Sequence, residues 1–253
     1  LENEYINFNG LNLTYETLDG LIKHNGRFSK KKPIPKFIKH IENNYGFKLY
    51  NHPTIEAQIA NICDDIAYVS HDLNDGLNSS LLNIEEIEEL PIIGQIIKHS
   101  QVQFLKSNEK VFINQITRNL INLLVSDLVK NSMNILKENK FKTPEEIVNF
   151  HSLVVKFNEN TFSDFKKIKT FLLNKMYNNK KILNDLAKVN EKIKKMFEFF
   201  IEYPLKLPKK WHFYENTFIL DIDQHKKSRL ICNYISGMTD NYFDLKFKNL
   251  ELG

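Results

Sequence analysis

A chain of 253 residues, 42% hydrophobic and 26% charged, is long enough to bury one large core or two small ones. It holds no run of about eighteen apolar residues, which excludes a membrane-spanning helix. Net charge is only +4, but residues 49–97 contain nine acids and no Lys or Arg, so that segment carries −9 and the remainder +13.

In chain order the pattern predicts helix after helix. The start, LENEYINFNG, lacks the basic residues and apolar stretch of a signal peptide. Thr14 is placed to cap a helix running to about His24, stopped by Asn25-Gly26. The loop FSKKKPIP at 28–35 carries Lys30, Lys31 and Lys32, and a short helix from Pro35 to Tyr45 ends at Gly46. Pro53-Thr54 opens a long helix that Gly76 is expected to close. Asn83 with Glu86 predicts a capping arrangement ahead of a short helix that Pro91 ends.

Apolar periodicity predicts a further helix over about 109–137, with Ile113, Ile116, Leu120, Leu123, Leu124, Leu128 and Ile135 on one broad stripe. TPEE at 143–146 marks another start, with Thr143 as cap, Pro144 in the first turn and Glu146 reaching back. Helical stretches follow at about 163–178 and 181–203. WHFYENTFI, at 211–219, reads as loop or short strand, and two last helices are split at Gly237. No internal repeat is present. The fold class is all-α. Cys63 and Cys232 lie far apart within apolar helical patterns, so reduced, buried thiols and a cytoplasmic location are expected.

The stretch NICDDIAYVSHDLNDG, 61–76, has the densest chemistry. At about 100° per residue, Asp64, Tyr68, His71 and Asp75 fall within an arc of roughly 60°, with Asp72 at its edge. Ile55, Ile59, Ile62, Ile66, Val69 and Leu73 take the opposite side. A solvated helix face is the simplest account. Against it, like charges three or four residues apart repel mildly, and no base on this helix relieves them. Carboxylates so clustered are stable when a divalent cation or basic neighbours occupy them. One helix cannot complete such a shell. His24, His40, His52, His99, His151, His212 and His225 are scattered singly and are each expected to be surface or packing residues. No phosphate-binding glycine loop, dinucleotide fingerprint or nucleophile elbow occurs.

Two stretches, GLNLTYETLDGLIKHNG (10–26) and PTIEAQIANICDDIAYVSHDLNDGL (53–77), resemble the bacterial deoxyguanosine-triphosphate triphosphohydrolases of the HD-domain superfamily. ITRNLINLLVSDLV (116–129), FLLNKMY (171–177) and RLICNYISGMTDNY (229–242) are similar to later landmarks of that family. The resemblance implies an all-α, HD-domain-like helical bundle. It also implies hydrolysis of a deoxynucleoside triphosphate to the deoxynucleoside and tripolyphosphate, with a divalent metal (Mn, Mg or similar) that polarises the phosphate and activates water. It assigns Asp64 as a metal ligand and Tyr68 and Asp72 as contacts to the deoxyribose. Lys23, with Lys32 and Lys31 as weaker choices, and Arg118 are the expected triphosphate contacts. For each of these bases the alternative is a solvated surface charge.

The family's first metal histidine, its His-Asp pair and its catalytic histidine precede the GLNLT motif, so the catalytic histidine is not among the residues of this chain. Together with the missing initial Met, this leads to the expectation of a C-terminal part or a shortened, inactive form. Residues 1–138 would then belong to the catalytic domain and 139–253 to a C-terminal helical domain. Asn241 stands where an arginine is expected. A homo-oligomer is the expected assembly. A non-catalytic nucleotide-binding or assembly subunit is the alternative. Nucleic-acid binding through SKKKP and the Lys-rich 166–195 region is a third, weaker reading.

Overall fold

The computed structural model describes residues 7, 11–104, 108–214 and 216–250, and for 100–104 the backbone alone. Gly10 of the first quoted stretch and nearly all of LENEYINFNG lie outside the described residues. Eleven α-helices appear among those residues: α1 (Tyr15–Ile22), α2 (Lys36–Tyr45), α3 (Ile55–Asn78), α4 (Ile84–Glu88), α5 (Pro91–Phe104), α6 (Glu109–Asn139), α7 (Pro144–Val148), α8 (Glu159–Leu172), α9 (Lys180–Glu202), α10 (Gln224–Ser236) and α11 (Asp240–Asn249). The only sheet among them pairs β1 (Phe213–Tyr214) with β2 (Thr217–Phe218), antiparallel, with Phe213 opposite Phe218. The fold is all-α, as expected, and the ambiguous segment at 211–219 contains the short β1–β2 pair.

The chain divides into two compact units, Leu1–Met176 and Tyr177–Gly253. In the first, α3 packs along α6. Ile66, Val69, Leu73 and Leu77 of α3 meet Ile113, Ile116, Leu120, Leu124 and Leu128 of α6, all buried, with Ile93 and Ile96 of α5 and Phe165 and Ile168 of α8 completing the core. The apolar stripe read from the sequence is therefore the buried seam. Asn74 Nδ2 crosses it, donating to Asn114 Oδ1 at 3.2 Å and Thr117 Oγ1 at 2.9 Å. Buried Gln58 ties the start of α3 to the segment before α8: its Oε1 accepts from Val154 N and Val155 N while its Nε2 donates to Pro53 O. Without it those backbone groups would be desolvated and unpaired.

Caps explain the boundaries. Thr14, Thr54 and Asn108 each accept a backbone N–H from their own first turns. Asn83 and Glu86 form the full reciprocal box. At α7, Glu146 Oε2 accepts from Lys142 N at 2.8 Å, whereas Thr143 makes no side-chain cap bond. Gly46 ends α2 at φ +70°, a left-handed conformation that favours glycine.

Four expectations are corrected. Gly76 does not close α3, which runs two residues further; it is glycine because Leu82 packs onto it, and a Cβ there would lie 2.6 Å from Leu82 Cδ1. Pro91 does not end α4; it opens α5, its missing N–H costing nothing in a first turn. Ile59 is 46% exposed, outside the core face assigned to it. Both cysteines are free, as expected, but exposed and not buried. Cys63 is on α3 and Cys232 on α10.

In the second unit, Met196 and Phe200 of α9, Leu230, Ile231 and Tyr234 of α10 and Phe247 of α11 form the core with Leu207 and Ile219. Phe200 and Trp211 meet the Tyr234 ring edge-on, both at 5.4 Å between centroids.

Candidate functional site

Because the buried face of α3 is committed to α6, the opposite face holds Asp64, Tyr68, His71 and Asp75, and Asp72 is half-buried at its edge. Asp64, Tyr68 and Asp72 succeed one another at four-residue steps, about 6 Å apart along the axis. Tyr68 is 62% exposed, so its ring stands clear of the core. The structure thus sets the expected metal ligand and sugar contacts along one accessible helix face.

The acids of this face are relieved from other elements, which the single helix could not reveal. Lys169 Nζ of α8 lies 2.9 Å from Asp65 Oδ1. His24, just after α1, brings Nε2 to 3.4 Å from Asp64 Oδ2, and both side chains are about half exposed. From the sequence alone His24 is expected to be no more than a surface or packing residue. Its one sequence signal is its place beside Lys23. The approach depends on α1 lying close on α3: Gly20 faces Ala57, and a Cβ on Gly20 would come within 3.0 Å of the Ala57 Cβ. Beside this crossing a cavity of about 420 Å³ opens, lined by Thr17, Gly20, Leu21, His24, Ala57 and Ala60, with Glu16, Thr54 and Glu56.

Lys23 is not a surface charge. It is 2% exposed, and its Nζ lies 2.8 Å from Asp19 Oδ1, one turn back on α1. The approach is off-line, so that oxygen lacks a well-formed hydrogen bond although the charges are paired. Such a buried pair is costly to break on one side only, because the other charge is left uncompensated. Lys31 and Lys32 sit exposed in the loop before α2, and Arg118 is exposed on α6.

Elsewhere in this unit, burial is the main cause holding the His52 imidazole below its ordinary range, with the Arg27 charge adding to it. Lys175 hydrogen-bonds Glu86 at 2.7 Å and keeps that carboxyl low.

The donors near Asp64 suit a hard divalent cation in kind, being carboxylate oxygen and imidazole nitrogen. In number they do not suffice: among the described residues no three His, Cys, Asp or Glu side chains converge on one point.

Residues 155–248 match the phosphohydrolase-associated domain family. Over nearly its whole length the chain is similar to deoxyguanosinetriphosphate triphosphohydrolase-like proteins. The one from Neorickettsia sennetsu is 34% identical over 240 residues, 95% of this chain and 61% of that protein. The one from Jannaschia sp. is 32% identical over 96% of this chain and 60% of that protein. The one from Rickettsia felis is 30% identical over 99% of this chain and 64% of that protein. The chain therefore spans less than two thirds of the length of these relatives. With a similarity that takes in both units and the Asp64 helix, this all-α chain belongs to the deoxyguanosinetriphosphate triphosphohydrolase-like family.

Proposed function

We propose that the chain is part of an enzyme that hydrolyses a deoxynucleoside triphosphate to the deoxynucleoside and inorganic tripolyphosphate, with a divalent cation as cofactor. One observation carries the reading: the stretch most like the family, 53–77, forms α3 and presents Asp64, Tyr68 and Asp72 at four-residue steps, while the relatives that share it over 95% of the chain are named triphosphohydrolase-like. In this reading Asp64 donates a carboxylate oxygen to the cation. Tyr68 and Asp72, one and two turns on, orient the sugar beside it. Exposed Lys32 and Arg118 offer charge to the phosphates, and Lys23 holds its part of the site through Asp19. A cation, when bound, supplies Lewis-acid polarisation of the phosphate. Among the described residues no group of donors converges to hold one unaided. A homo-oligomer is the proposed assembly.

The test is direct measurement of tripolyphosphate released from each dNTP by the native protein, with and without Mn²⁺ or Mg²⁺. Metal-dependent release is expected, and Asp64→Ala is expected to reduce it to background. Full activity in that variant would remove Asp64 from the site.

A second reading, a non-catalytic nucleotide-binding or assembly subunit, is favoured by the incomplete donor set. Saturable dNTP binding with no tripolyphosphate produced would select it.

A further inference from the structure

We propose that the first half of α9 is a contact between two copies of this chain, the two helices lying antiparallel across a two-fold axis that passes between Leu186 and Val189. The proposal gives a surface and a symmetry to the proposed homo-oligomer and rests on that part of the reading alone.

Along α9, Ile182, Leu186, Val189, Ile193, Met196 and Phe200 recur at alternating steps of four and three, the a and d positions of a heptad seam on which no charged residue falls. One end of the seam is used inside its own unit, where Met196 and Phe200 are fully buried in the core with α10. The other end is not. Leu183, Leu186, Val189 and Ile193 are 45%, 51%, 45% and 40% exposed. The outward faces of the same half are settled by ion pairs, Asp185 with Lys188 and Glu191 with Lys195. A contiguous apolar stripe at the surface marks a contact with another chain, and a stripe of heptad period is matched by a second helix.

Charge and shape make that helix the same segment of another copy. In the antiparallel pairing each Leu186 meets the partner's Val189, and each Ile182 the partner's Ile193. On one flank Asp185 faces the partner's Lys192, and symmetry repeats the pair, so two contacts of opposite sign close that edge. Lys192 is already held at the edge of the seam by Asp244 of α11, at 2.8 Å. On the other flank Leu183 faces the partner's Asn190, at the wall of a groove of about 660 Å³ that Phe197, Ile235, Met238 and Phe243 also line. Leu183 supplies the apolar side chain that such a groove takes. A parallel pair would instead set Asp185 against Asn190 and Lys192 against Phe197, with no opposite charges facing. The remaining lysines of this half, such as Lys181 and Lys188, lie outside the seam, where salt and water screen them. From Ile182 to Ile193 the seam is only about 17 Å long. The contact therefore depends on the filled groove as well as on the stripe.

The experiment is sedimentation equilibrium of the full chain, with disulfide trapping to read orientation. A self-associating species is expected. Leu186→Glu combined with Val189→Glu should lower its mass at least about twofold at the same concentration. Asn184→Glu, on the opposite face of α9, should leave the mass unchanged. All three positions are exposed, so the circular dichroism of each variant should match that of the unaltered chain and serves as the folding control. With Cys63 and Cys232 replaced by Ser, Ile182→Cys mixed with Ile193→Cys should cross-link, and neither alone should.

A monomer at every concentration overturns the proposal and the homo-oligomer together. An assembly whose mass is unchanged by the two glutamates overturns this interface and leaves the homo-oligomer standing. Failure of the mixed pair to cross-link, or cross-linking of Ile182→Cys with itself, overturns the antiparallel contact. None of these results touches the assignment of Asp64, which tripolyphosphate release tests separately.

Discussion

At residue scale, His52 shows burial setting a side chain's chemistry without any partner in the proposed site. It is buried, and its Nε2 has no hydrogen-bond partner among the described residues. Burial first, and the nearby Arg27 charge second, lower its pKa below the ordinary 6.5, while a hydrogen bond with the His151 backbone opposes them. The unfolded chain therefore takes up a proton near pH 6.5 that the folded chain resists. Between that pH and the lower folded value the unfolded state binds more protons, so stability falls as pH falls. The depressed carboxyls of Glu86, Asp223 and Asp244 start from ordinary values of 4.5 and 3.8, and their stabilisation is lost only further into acid. Denaturant midpoints measured from pH 7 to 5 should fall, and His52→Leu should flatten that slope. An unchanged slope in the variant would place the acid sensitivity elsewhere.

At element scale, the long helices were legible because periodicity and caps agreed, as in α3 and α6 with Thr54 and Asn108. So was the spacing of Asp64, Tyr68 and Asp72, because it is internal to one helix. His24 beside Asp64 was not, since forty residues separate the two and only the α1–α3 crossing joins them. Helix α5 was hidden for a different reason: LPIIGQII puts Pro91 and Gly94 where a reader expects a break. The structure shows what Gly94 does. A Cβ there would lie 2.4 Å from the carbonyl oxygen of Glu88, which is backbone and cannot rotate away. At Gly76 the obstacle is the buried Leu82 side chain, Cδ1 at 2.6 Å and Cγ at 2.9 Å, which has more room to shift than backbone does. Overpacking costs typically about 1–3 kcal/mol. Gly94→Ala is thus expected near about 3 kcal/mol and Gly76→Ala near about 1 kcal/mol by urea unfolding, and Leu82→Ala should absorb most of the second cost but none of the first. Equal costs for the two glycines would show that the α4–α5 corner yields as easily as a side chain.

At the scale of the whole molecule, each unit has its own core. The cluster around Ile116, Leu120 and Leu124 and the cluster around Met196 and Phe200 share no residue. The second spans Tyr177–Gly253, a size at which burial leaves little surplus over chain entropy. Phe200 is fully buried and carries ring contacts to Phe199 and Tyr234, so Phe200→Ala removes both apolar area and an aromatic edge. The loss, about 3–5 kcal/mol, is comparable to the whole stability of so small a unit. Native-state hydrogen exchange on Phe200→Ala should therefore show protection collapsing in α9 and α10 while the amides of α3 and α6 stay protected, since nothing in their core has changed. Equal loss of protection in α3 and α6 would mean that the two cores unfold as one cooperative body. The distinction bears on the candidate site: α1 and α3, which hold His24, Asp64, Tyr68 and Asp72, belong to the first unit, so its stability alone then governs whether that helix face is formed.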